Sequence, residues 1–359
     1  MLEVSYQEAV EVGRRLLRWY MENKRDLPWR RTKDPYKIWV SEVMLQQTRV
    51  ETVIPYWNRF MERYPTVEAL ATAPEEEVLK LWEGLGYYSR VRNLQTAVRE
   101  VHANYGGRVP DTLEEISSLS GVGPYTAGAV LSIAYNVPVP AVDGNVFRVL
   151  SRLFLIEDDV SKPAARRKFE SLAEFLIPPG EASNFNQSLM ELGAKVCIPK
   201  YPRCPECPLQ EVCRAHAEGM QEDLPVKGKK KPPKPIDIAT GIVWNGDKVM
   251  VVRRPLTGLL AGMWEFPGGE VAPGDTHQET LQRILPEKYA QPIEIQSHFA
   301  DVQHTFSHLH WNLKAFSCSI TGDSCPDAEA IRWLNVWQLS DVPMPVAHQK
   351  LAKALQGLV

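Results

Sequence analysis

Apolar side chains fall at helical intervals over residues 5–22, 50–63, 75–82, 89–103, 163–176 and 184–194, a period near 3.6 that predicts amphipathic helices. Glycine and proline punctuate them, as in GLGYYS at 84–89 and GVGP at 121–124. No convincing alternation of polar and apolar residues suggests strands there. Past residue 236 the pattern changes. IATGIVW at 238–244 and DKVMVV at 247–252 flank Asn245-Gly246, a dipeptide suited to a tight primed turn, and read as a hairpin. Further strand-like pieces lie at 293–302 and 310–320.

KGKKKPPKP at 227–235 holds five Lys, three Pro, one Gly and no acid, so it reads as an extended, solvated tether. Its lysines also suit contact with a phosphate backbone. The expected organisation is multidomain: an all-α domain over 1–220, a basic linker over 221–235 and a smaller α/β domain over 236–359.

Composition narrows the class. With 359 residues, 44% hydrophobic and 24% charged, the chain can bury a real core, which excludes disorder and a disulfide-dense mini-scaffold. No apolar run approaches the ~20 residues of a membrane-spanning helix. The start, MLEVSYQEAVEVGRR, lacks the basic-then-apolar order of a secretion signal, so a cytoplasmic protein without a membrane partner is expected. Net charge is −3, and residues 1–226 carry 27 basic against 31 acidic side chains. Any nucleic-acid contact must therefore use a local surface rather than a global field.

Cys197, Cys204, Cys207 and Cys213 form C-x6-C-x2-C-x5-C. A reducing compartment disfavours disulfides, and clustered thiolates need a cation to neutralise them. Zinc usually takes two separated ligand pairs, whereas four cysteines in one loop at 197–213 suit a [4Fe-4S] cluster. Cys318 and Cys325 have no partners at ligand spacing and read as ordinary thiols.

LEEISSLSGVGPYTAGAVL at 113–131 places two helical patterns around Gly121-Val122-Gly123-Pro124. The glycines permit close approaches, Pro124 can open the second helix, and amides at that helix start offer an anion site. A plain turn between two helices is the alternative. Asp143 follows in PAVDGNVFRVLSR, where a turn or cap role is equally natural.

Together, the hairpin, this aspartate and the cysteine loop resemble the helix-hairpin-helix DNA glycosylase superfamily over about residues 5–220. LPWR at 27–30, SEVMLQQT at 41–48 and GLGYYSR at 84–90 look like the MutY adenine DNA glycosylases. The resemblance implies a bacterial, nucleoid-associated, monomeric enzyme bound to double-stranded DNA, excising adenine mispaired with 8-oxoguanine or guanine. It also implies a C-terminal domain of the MutT fold.

Breaking a purine N-glycosidic bond needs a proton for the leaving base and a negative charge for the oxocarbenium-like sugar, roles that two carboxyls in different environments can divide. Glu42, among Trp39, Val40, Val43, Met44 and Leu45, should have a raised pKa and hold a proton near neutrality. By resemblance, Glu42 protonates adenine and then assists water, and Asp143 stabilises the sugar cation. Tyr125 stands where strand-cutting members carry a Schiff-base lysine, and a phenol forms no imine, which points to a monofunctional enzyme. The target base must leave the helix. The resemblance gives Gln47 and Tyr87 the job of filling the disrupted stack. It places Leu45, Thr48, Leu85, Gly86 and Ser118 near backbone or bases, Gly121 and Gly123 at a phosphate, and Arg25, Trp29 and Arg30 at DNA or the base pocket. Gln187 matches an adenine-facing position.

WEFPGGEV at 264–271 resembles the start of a Nudix box, but two of its three later glutamates are absent and Pro286 is expected to interrupt its helix. Hydrolysis is disfavoured, leaving a recognition module. His304, His308 and His310 could share a strand face as a weak zinc site. The resemblance instead gives Phe306, Ser307 and His308 the reading of 8-oxoguanine. Rival readings are an endonuclease III-like lyase, which Tyr125 disfavours, and a silent DNA-binding protein, which the pair Glu42 and Asp143 disfavours.

Overall fold

The structure, a computed structural model, describes residues 4–228, 232–289, 293–306, 308–320 and 329–358; Ser307 and Cys325 lie outside the described residues. Helices come first: α1 (Tyr6–Asn23), α2 (Pro35–Leu45), α3 (Val50–Arg63), α4 (Val67–Ala71), α5 (Glu75–Trp82), α6 (Ser89–Asn104), α7 (Leu113–Ser118) and α8 (Pro124–Tyr135). Then follow α9 (Gly144–Leu153), α10 (Pro163–Leu176), α11 (Ala182–Lys195) and the short α12 (Arg214–Ala217). Two compact units result, one of residues 1–72 and 93–229, the other of residues 73–92 and 230–359.

In the first unit, Ser5 and Glu8 cap α1 reciprocally, satisfying amides the helix cannot. Its apolar stripe of Ala9, Val12 and Leu16 packs on Val146, Phe147 and Leu150 of α9, Phe169 and Leu172 of α10, and Phe185 and Leu189 of α11. Full burial of one such side chain, Leu16, is worth ~1.5–3 kcal/mol. α2 packs on α8 through Ile38, Ala129 and Ile133, with Ala141 beside them. The chain before α9 passes so near α8 that a Cβ on Gly128 would lie 1.9 Å from the Pro140 carbonyl. These close packings fix where α2, α8 and α9 hold Glu42, Tyr125 and Asp143.

In the second unit a mixed sheet is built from β1 (Lys234–Asn245), β2 (Lys248–Arg253), β3 (Trp264–Glu265), β4 (Gly268–Glu270), β5 (Ile293–Thr305), β6 (Leu309–Ile320) and β7 (Ile331–Asn335). Its order is β3-β2-β1-β6-β5, with β4 on β1 and β7 on β2, and β1 runs parallel to β6. Gly246, at φ 61°, turns β1 into β2 as the Asn-Gly dipeptide predicts. One face buries Ile242, Val249 and Val251 under Leu351 and Leu355 of α14 (Val346–Gln356). The other buries Val243, Met250 and Val252 under Leu281 and Leu285 of α13 (His277–Tyr289).

Two expectations need correction. α13 continues through Pro286 rather than stopping there, since the missing N–H forfeits one bond near the helix end while Leu281, Ile284 and Leu285 stay buried. The strand also begins inside the presumed tether, at Lys234, whose amide donates to the His308 carbonyl at 2.9 Å. Main-chain pairing is indifferent to the charge of the side chain it carries.

The same unit includes α5. Arg332 pairs with Glu76 at 2.6 Å, Lys80 donates to the Val342 carbonyl at 3.2 Å, and the Met344 amide donates to Glu83 at 2.8 Å.

Candidate active site

α2 starts at Asp34, whose carboxylate accepts the Tyr36 amide, and runs into the interior with Ile38, Trp39, Val40, Val43 and Met44 buried. Glu42 lies on the same helix and is only 5% exposed. Burial lifts its pKa from 4.5 to about 7, the charge of Asp143 pushes the same way, and the hydrogen bond from Tyr125 and the charge of Arg30 oppose. The Tyr125 hydroxyl, from the first turn of α8, donates to Glu42 Oε2 at 2.5 Å. Burial and the two nearby carboxyls hold that phenol protonated, well above its ordinary value.

Asp143 is the N-cap of α9, as the cap reading expects. Its Oδ1 accepts the Asn145 and Val146 amides at 2.9 and 2.8 Å, and its Oδ2 accepts the Asn145 side-chain amide at 2.8 Å. Burial raises its pKa while these three donors pull it down. Three donors thus fix the Asp143 carboxyl in place, near enough to Glu42 for its charge to push the Glu42 pKa up.

Glu191, which the sequence did not flag, organises the neighbouring cations. Fully buried on α11, it accepts Arg25 Nε at 2.9 Å and Arg30 Nη2 at 2.8 Å, plus the Arg25 amide at 3.0 Å. Burial alone would raise its pKa, but the two guanidiniums bring it to about 2. Gln187, one turn earlier on α11, donates to the Ser183 carbonyl at 3.2 Å. Ser183 Oγ also accepts Lys33 Nζ at 2.8 Å, another polar contact missing from the sequence reading. Trp29 is buried, edge-on to Trp57 at 6.1 Å between ring centroids.

The remaining candidates sit on turns. Gln47, exposed at φ 57°, follows α2; Leu45 ends that helix half-buried, and the Thr48 amide donates back to the Leu45 carbonyl. Ser118, Gly121 and Gly123 are exposed around the α7–α8 turn, where Gly121 adopts φ 71° and a Cβ there would strike Asn93 at 2.6 Å. In the second unit, Leu85 is buried, Gly86 has φ 71°, and Tyr87 is exposed at φ 50°. Phe306 packs edge-on to Trp311, ring centroids 4.9 Å apart, and His308 is exposed.

The four cysteines of the loop line one cavity with Arg152, Val196 and Gln210. Arg152 donates to Cys197 Sγ at 3.4 Å and to the Ile198 and Pro199 carbonyls. Arg148 donates to the Cys197 carbonyl at 2.6 Å and to Asn145 Oδ1 at 2.8 Å, joining the loop to the residue that holds Asp143. Both arginines are buried, and neither is ion-paired to a carboxylate among the described residues. Spacing revealed the cysteines but gave no sign of these two arginines.

Residues 40–175 match the model of the HhH-GPD superfamily of base excision DNA repair proteins, and residues 239–354 match a NUDIX domain. The chain is 37% identical to the adenine DNA glycosylase of Rattus norvegicus, covering 96% of this chain and 77% of that protein. Against the adenine DNA glycosylase of Homo sapiens it is 36% identical, covering 95% and 73%. Among solved structures, a thermostable thymine-DNA glycosylase superposes with a TM-score of 0.54 at 30% identity, over 59% of this chain and 98% of that one. An endonuclease III trapped as a covalent intermediate with DNA superposes with a TM-score of 0.52 at 27% identity, over 60% and 99%.

Proposed function

The chain belongs to the adenine DNA glycosylases of base excision repair, and from that premise we propose that it acts on adenine mispaired with 8-oxoguanine, or with guanine, in double-stranded DNA. The observation that carries the chemistry is the buried Glu42, poised near pH 7 and hydrogen-bonded to Tyr125. A carboxyl half protonated at working pH is the best compromise between holding a proton and giving it up. Glu42 delivers that proton to the leaving base and then, ionised, orients water toward the sugar. Asp143, fixed by its three donors, faces the positive charge that develops on the sugar. Tyr125 keeps the Glu42 proton in line, and as a phenol it forms no imine, so the reaction stops at the abasic site. Gln187, Arg25 and Arg30 bind around the extruded base, with Gln47 and Tyr87 occupying the stack it leaves. Gly121 and Gly123 give a phosphate close access to the α8 amides.

The NUDIX-like domain serves as the lesion reader through Phe306, Ser307 and His308, with Phe306 as its anchor. Organisation into a catalytic part over 1–220, a linker over 221–235 and a reader over 236–359 belongs to the same reading, as does a monomeric state.

Cys197, Cys204, Cys207 and Cys213 fit a [4Fe-4S] cluster. Two buried guanidiniums beside four thiols suit an anionic cluster far better than neutral sulfhydryls. Bound by these four cysteines, such a cluster would cross-link the loop that backs α9.

Duplexes carrying A opposite 8-oxoguanine, A opposite guanine, A opposite cytosine, and thymine glycol test the assignment by base release. Fastest adenine release from A·8-oxoguanine is expected, with thymine glycol untouched. Equal release whatever lies opposite adenine would overturn the lesion specificity.

A further inference from the structure

The GLGY loop at 84–87 is a backbone under strain. Gly84, Gly86 and Tyr87 all adopt positive φ, at 98°, 71° and 50°, and Tyr87 carries a Cβ into a region that favours glycine. Such a conformation persists only where its surroundings over-determine it. The residue that does so is Arg90, one turn on in α6. Its Nη2 donates to the Leu85 carbonyl at 3.3 Å and to the Gly86 carbonyl at 3.2 Å, and its amide donates to the Tyr87 carbonyl at 2.8 Å. The guanidinium carbon also lies 5.6 Å from the Trp82 ring centroid and 5.2 Å from that of Tyr87. Trp82 is fully buried and its indole N–H donates to the same Gly86 carbonyl, at 3.2 Å.

We propose that Arg90 is the positioning residue for Tyr87: backed by Trp82, its guanidinium holds the phenol ring at the angle from which it enters the DNA stack. This rests on the reading of Tyr87 as an intercalating side chain. The chemistry requires arginine. A planar guanidinium stacks its face on aromatic rings while its rigid fork donates along its edge to backbone carbonyls, whereas an ammonium is a compact point charge with neither the face nor the fork. Burial draws the Arg90 pKa down to about 10, so the group stays cationic at neutral pH. Tyr87 remains 41% exposed while its ring carries the Arg90 contact.

The test uses the full-length protein with its iron complement verified, and a duplex with 2-aminopurine beside the target adenine to report base extrusion. R90Q, R90K and Y87A are compared with the double variant Y87A/R90Q. R90Q should cut the extrusion signal and slow single-turnover release at least tenfold. R90K, which keeps the charge and the fold, should show the same defect. The double variant should be no worse than Y87A, because both changes remove one device. A target adenine placed in a bulge, already unstacked, should restore most of the R90K rate. Additive losses in the double variant, wild-type extrusion by R90K, or an equal defect on the bulge would overturn the positioning role. Normal extrusion by Y87A would instead sink the intercalation reading, and this proposal with it.

Discussion

Replacing Glu42 by glutamine should abolish adenine release and yet stabilise the folded protein, in a way that depends on pH. The raised pKa, from 4.5 to about 7, means that folding penalises the ionised carboxyl by about 3 kcal/mol, at ~1.4 kcal/mol per tenfold. Below pH 4.5 the group is protonated in folded and unfolded chains alike, and the penalty is absent. As pH rises the unfolded chain gives up its proton first, so stability is lost up to about pH 7 and then levels off. Glutamine never ionises and escapes that loss. E42Q should therefore gain on the parent protein between about pH 5 and about pH 8, by up to ~3 kcal/mol. Urea unfolding followed by tryptophan fluorescence at a series of pH values reads the gain directly. In the same preparations, single-turnover release should fall by at least ~10²-fold, the low end for loss of a general acid. A stability offset that is flat with pH would show that Glu42 titrates normally and would remove the ground for its role as proton donor.

D143N should leave the α9 cap in place, since asparagine caps as well as aspartate, while excision falls steeply; a melting temperature that drops with activity would mean only the cap mattered. Borohydride should trap no protein–DNA adduct, and strand breaks should appear only after alkali or heat; trapping that depends on one lysine would reveal a lyase. Anaerobically purified protein should be brown and contain iron, and stoichiometric zinc without iron would displace the cluster assignment. Replacing Phe306, Ser307 and His308 together by alanine should weaken the preference for A·8-oxoguanine over A·G by up to ~1–3 kcal/mol, measured as a ratio of single-turnover rates; an unchanged ratio makes that turn structural.

Periodicity located α1, α3, α5, α6, α10 and α11 to within about two residues, because each buries one stripe and exposes the other. It did not register α9, whose start at Asp-Gly-Asn reads equally as a turn or a cap; the cap reading is the one that holds. It missed β3 and β4, which are too short for a period of two to register, and β7, whose five residues are all partly buried rather than alternating. The burial of Glu42 and the gathering of the four cysteines around one cavity were legible because their setting or spacing is local. Glu191 was not, since its partners stand 161 and 166 residues away and a lone glutamate on a helix resembles any solvated one. Arg148 and Arg152 were hidden likewise: an arginine in an apolar helix announces burial only once the carbonyls it serves are known.

The ties from Glu76, Lys80 and Glu83 to Arg332, Val342 and Met344 change what a truncation experiment can mean. A chain cut at the linker would be a natural way to isolate catalysis from lesion reading. Such a cut also strips α5 of those three partners, and α5 ends at Trp82 and leads directly into the GLGY loop. Slower excision by the shortened chain would then confound two losses, a missing reader and a loosened intercalation loop. Charge exchange at the Glu76–Arg332 pair separates them. Reversing both charges keeps the tie and leaves the reader intact, whereas reversing one disturbs the loop with the lesion-reading turn untouched.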